Sequence, residues 1–95
     1  MAGALNVVAG DTAPSFIQYK TGSVPVDITG DSAICRVATD PITDLVVTIT
    51  DPTNGEGTII PGTLPAGTYL AEIKTTSGGL VKTSEQFTIN VRESL

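Results

Sequence analysis

Apolar residues in this chain recur at every second position rather than every third or fourth, the period of a strand with one buried face. Leu5, Val7 and Ala9 share a phase over a first strand, 5–9. Ile17 and Tyr19 share another, set against Phe16 and Gln18, over a second run from about Thr12 to Lys20. Ala33, Cys35 and Val37 alternate with Ile34 and Arg36 between about Ser32 and Ala38. The cleanest pattern is Leu45, Val47 and Ile49 against Val46, Thr48 and Thr50, which predicts one strand over 45–50. Between Thr68 and Thr76, Tyr69, Ala71 and Ile73 point inward while Glu72 and Lys74 face water. The last run, Leu80 to Arg92, keeps Val81, Phe87, Ile89 and Val91 in phase, but Thr83 and Glu85 share that parity and are polar. A bulge or bend near Ser84 accounts for the mismatch. No segment carries a helical apolar period of useful length.

Turn residues separate these runs. Thr21-Gly22-Ser23, Pro61 to Gly67 and Ser77-Gly78-Gly79 are turn clusters, and Pro25, which cannot donate to a ladder, belongs to an edge or a connection. Asp51-Pro52-Thr53-Asn54-Gly55 places Pro, Asn and Gly where a turn needs different φ values, Gly55 being suited to a positive one, ahead of a short strand 57–60. About seven strands at this spacing predict a sandwich or small barrel. Its core is expected to hold Leu45, Val47, Ile49, Tyr69, Ile73, Phe87 and Ile89.

Composition agrees with the pattern. Thr (15), Val (9) and Ile (9) together fill about a third of the 95 residues, and such β-branched side chains fit pleated sheets better than helices. The length suits one domain, 1–95, with residues 1–9 a strand or an N-terminal arm that pairs with a partner. The N-terminus has no basic residue and no apolar run of signal-peptide length, so it reads as mature protein, and no run approaches the roughly 20 apolar residues that span a bilayer.

Charge and residue types narrow the chemistry. The formal net charge is −5, which repels phosphate backbones and anionic lipid, so neither nucleic acid nor membrane is an expected partner. With no histidine, histidine-based acid/base catalysis and histidine zinc sites are excluded. Asp40, Asp44, Asp51 and Glu56 invite a calcium reading, but Gly55 falls where a calcium loop of the helix-loop-helix type places a ligand, and these acids read as turn formers. Two carboxylates could serve a glycosidase, yet two Phe, two Tyr and no Trp leave little to line a sugar cleft. Cys35, the one cysteine, lies on an apolar phase without a base and reads as a small buried hydrophobe. Thr-rich strand faces follow from β propensity. No catalytic, cofactor or metal residues are therefore assigned. Phe16, Ile34 and Leu70 alternate against the inward set, and these three are the expected partner-binding residues.

Three stretches in series carry a resemblance. They are 10–14 (Gly-Asp-Thr-Ala-Pro) before a strand, 25–30 (Pro-Val-Asp-Ile-Thr-Gly) followed by Ala33, and 47–55 before 65–72 (Pro-Ala-Gly-Thr-Tyr-Leu-Ala-Glu). Their order and spacing resemble the N-terminal immunoglobulin-like module of phage baseplate upper proteins, over about residues 10 to 91. The resemblance implies an all-β fold, an immunoglobulin-like antiparallel β-sandwich of about seven strands, with no catalytic residues to carry over. It further implies a non-enzymatic component of a tailed phage particle (tail, baseplate, collar or head decoration), made in the bacterial host cytoplasm. Such a component docks in several copies onto other virion proteins in a symmetric assembly. Family members usually continue into long helical and receptor-anchoring regions, whereas this sequence stops at Leu95. The alternative reading is a bacterial cell-surface immunoglobulin-like module that binds carbohydrate or protein. The absence of a signal peptide, and a chain with its own Met1 and no linker, speak against it.

Overall fold

The computed structural model describes residues 4–94 and contains strands and short 3-10 turns. The strands are β1 (Ala4–Val8), β2 (Ser15–Gln18), β3 (Lys20–Thr21), β4 (Val24–Pro25), β5 (Ser32–Val37), β6 (Thr43–Val46), β7 (Thr48–Asp51), β8 (Glu56–Ile59), β9 (Gly67–Ser77), β10 (Leu80–Thr83) and β11 (Phe87–Arg92). They form a large sheet in the order β1-β11-β9-β5-β6, with β10 also on β9, and a small sheet in the order β2-β8-β7. The β3–β4 ribbon extends the second run beyond Tyr19. The two sheets pack as a β-sandwich, and their strand orders follow the two sheets of the immunoglobulin sandwich. One ladder departs from antiparallel pairing: β1 runs parallel to β11, pairing Leu5 with Ile89 and Val7 with Val91. That accounts for 4–8 of the expected N-terminal strand; residues 1–3 lie outside the described residues.

The run 45–50 is two strands rather than one. Leu45 lies on β6, which pairs with β5, while Ile49 lies on β7, which pairs with β8. The chain crosses from one sheet to the other at Val47. The alternation survives the crossing because the inner faces of both sheets look into the same core.

A second irregularity falls where the sequence places it. β10 and β11 follow the same edge of β9, but the register slips by one residue between them. Around the slip Ser84 takes over the ladder: its backbone N–H donates to the Ile73 carbonyl at 2.9 Å and its Oγ accepts from the Ile73 N–H at 2.8 Å. A one-residue slip exchanges the faces of every following side chain. Val81 is therefore not in phase with Phe87; it pairs with Thr76 and is 60% exposed.

The buried core holds Leu45, Ile73 and Ile89 of the expected set, while Val47, Ile49, Tyr69 and Phe87 pack half-buried against it. It also takes Ile28, Ile59 and Leu64, two of them from connections rather than strands. Tyr69 closes the start of β9, its phenol donating to the Pro65 carbonyl at 2.6 Å. This is the tyrosine corner of immunoglobulin-like sandwiches.

Candidate functional site

The three apolar residues set against the core phase do not share one surface. Phe16 projects from the small sheet and is 56% exposed. Ile34 and Leu70 lie on the outer face of the large sheet, the first half-buried and the second 51% exposed. Ile34 stands across from Val46 of β6, which is 81% exposed and which the sequence reading left out of the surface set. Between the Ile34 row and Leu70 runs a charged row in which Asp44, Arg36 and Glu72 are cross-strand neighbours. Arg36 grips Asp44 through Nε to Oδ1 at 2.9 Å and Nη2 to Oδ2 at 3.1 Å. The guanidinium holds the Asp44 carboxyl below the usual carboxylate range, chiefly through its hydrogen bond. Lys74 lies 3.4 Å from Glu72. The outer face is thus two apolar spots separated by paired charges.

Phe16 stands at a second feature. Where the two sheets part beside β2, an open groove of about 240 Å³ is floored by Leu5, Ile17, Ile73 and Phe87, with Gln18 and Lys20 on the β2–β3 wall. The large sheet supplies Leu5, Ile73 and Phe87, the small sheet Ile17. This groove was not legible in the sequence, because Leu5, Ile17 and Phe87 lie in three runs whose juxtaposition depends on the sheet order.

A second concavity covers the outer face of β1, β11 and β9. There Thr68 Oγ1 donates to Asn90 Oδ1 at 3.2 Å and Asn90 Nδ2 to Asn6 Oδ1 at 3.1 Å. These polar groups are engaged with one another.

Two of the acids that invited a metal reading, Asp44 and Asp51, have partners in the chain. Asp44 holds Arg36, and Asp51 Oδ2 accepts from Asn54 Nδ2 at 2.9 Å within the turn that Gly55 closes at φ 66°. Asp27 accepts from the Thr29 hydroxyl at 2.6 Å and its N–H at 2.9 Å, and these bonds pull its carboxyl below the ordinary value. Among the described residues, no three Asp, Glu or Cys side chains converge on a point where an ion could sit. Cys35 is fully buried, and burial in the core, reinforced by nearby Asp44, pushes its thiol up to about 12. A thiol so placed is a poor nucleophile at neutral pH.

Fold and surface together define a β-sandwich of immunoglobulin strand order whose distinctive features are apolar residues and an open strand edge on its outside. Comparison with known proteins agrees on the fold. The chain is similar to the N-terminal domain of phage TP901-1 ORF48, with a TM-score of 0.70 and 15% sequence identity, over 93% of this chain and 83% of that one. The resemblance drawn from the three turn-and-strand stretches is met here by an N-terminal domain of a phage protein with the same fold. No protein-family model matches the sequence, and no curated protein matches it.

Proposed function

We propose that this chain is a non-enzymatic structural component of a tailed phage particle that docks onto a larger symmetric assembly in several copies. The observation that carries the reading is the fold likeness to the N-terminal domain of phage TP901-1 ORF48 across nearly the whole chain, reached independently of the series of turn phrases. The chemistry supports a structural role. The chain has no histidine, its single thiol is buried with a raised pKa, and Asp27, Asp44 and Asp51 bond to neighbouring side chains or backbone. In this reading residues 1–95 act as a single domain and the virion is its place. Phe16 anchors one contact with other virion proteins, and Ile34 and Leu70 anchor a second on the opposite sheet. Exposed apolar side chains of this size serve as anchors when an assembly covers them, and repetition on a symmetric particle compensates for modest affinity at each site.

Mass spectrometry of purified particles, with copy number per particle, tests the proposal. The expected result is the chain present in a fixed multiple of copies. Its absence from particles overturns the reading.

A further inference from the structure

The open edge of β2 has the form of a receptor for one more strand. β2 pairs only with β8 in the small sheet. Tyr19 donates its N–H to the Gly55 carbonyl at 2.8 Å on the β8 side. In an antiparallel ladder alternate residues turn both backbone groups the same way, so Ile17 also faces β8 while Phe16 and Gln18 turn theirs outward. Among the described residues no strand meets those outward groups.

The surroundings set what fits. β6 continues directly into β7, which aligns the two sheets along that side of the sandwich. The large sheet is five strands wide on its main path and the small sheet three, so on the other side β11 and β1 overhang β2. At about 4.8 Å per strand the overhang reaches roughly 10 Å. A second sheet abutting β2 would collide with it, whereas a single extended segment slides beneath it into the groove. The β2–β3 wall of that groove runs from Phe16 to Lys20, with Gly22 in the turn beyond, and its floor is Leu5, Ile17, Ile73 and Phe87. Glu85 also lines the groove, from the large-sheet side. The charge distribution points the same way: between Asp11 and Asp27 this acidic chain has no acid, and Lys20 is the one charge there.

We propose that the β2 edge is a strand-acceptor site. It takes an extended segment of a neighbouring protein chain, antiparallel to β2, with apolar residues at alternating positions entering the groove and an acidic residue at its leading end beside Lys20. The added strand bonds through its backbone to Phe16 and Gln18, and its inward side chains cover the floor. Phe16, on the opposite face of the edge, packs against the outward side chains. The proposal rests on the docking role given above and names its site.

The test uses a blocked heptapeptide opened by aspartate and continued by alternating valine and threonine, and the same peptide N-methylated at alternate amides. Amide hydrogen exchange is followed residue by residue on the 95-residue chain. Saturating peptide is expected to slow exchange at Phe16 and Gln18 at least tenfold, and the methylated peptide to leave it unchanged. Equal protection by both peptides, or by neither, overturns the proposal. So does a free chain in which both amides are already slow and are released only by removing residues 1–3, since its own N-terminus then closes the edge. Gln18→Pro removes an outward N–H while sparing the β8 ladder, and it is expected to lower incorporation into particles at least tenfold. Wild-type chain in particles with Gln18→Pro at equal copy number sinks the strand-acceptor site alone; wild-type chain absent from particles sinks the docking role itself. Should Gln18→Pro fail to fold, the peptide experiment decides.

Discussion

Gly55 shows how a single residue holds two connections at once. At φ 66° it closes the 51–55 turn, and a Cβ there would lie 2.6 Å from the Val26 carbonyl oxygen and 2.8 Å from that of Tyr19. Gly55→Ala is expected to destabilise the domain by about 1–3 kcal/mol from the backbone conformation alone, with the clash added to it. Urea unfolding checks this, and an unchanged midpoint would refute it. Thr75 presents the opposite case. It is fully buried on β9, and its hydroxyl has no hydrogen-bond partner. Thr75→Val keeps the shape and removes the unsatisfied group, so stability should rise by about 1 kcal/mol; a fall would mean that the hydroxyl is satisfied. Cys35 adds a pH dependence of definite sign. The folded thiol holds its proton up to about 12, while the unfolded thiol releases it near 9.0. The stabilisation is therefore complete below the unfolded value and is lost as pH rises from about 9 toward 12. Cys35→Ala should lose that alkaline decline in stability, whatever its cost at neutral pH.

At the scale of elements, the slip at Ser84 decides which apolar side chains matter. Ile59 and Ile89 are buried to within 1% of completely, and truncating either to Ala should cost roughly 2–5 kcal/mol, enough to unfold a domain of this size. Val81→Ala, on the far side of the slip, should change stability by less than about 0.5 kcal/mol. A large loss for Val81→Ala would return that residue to the core phase. The Tyr69 corner ties the start of β9 to the connection from β8, so Tyr69→Phe is expected to cost about 1 kcal/mol through the lost bond to Pro65.

At the scale of the whole molecule, the two proposed contacts are separable. Phe16→Ser should abolish incorporation into particles while the isolated domain stays folded by circular dichroism. Normal incorporation, or loss of the fold, would remove Phe16 as an anchor. Much of this was legible without coordinates. Burial of one face imposes a two-residue period locally, so the strand positions, the inward phase of Ile17, Cys35, Ile73 and Ile89, the positive φ of Gly55 and the irregularity near Ser84 can all be read along the chain. The burial of Ile28 and Leu64 could not be, because each sits among turn residues and is buried by packing from distant segments. Tertiary structure alone decided that 45–50 crosses between sheets, that β1 pairs parallel with β11, that Phe16 lies apart from Ile34 and Leu70, and that β2 keeps an open edge over an apolar groove. Facing sheets present the same alternation to a shared core, so periodicity marks which side of a strand is buried. Which strand lies beside it is set by contacts between residues far apart in sequence.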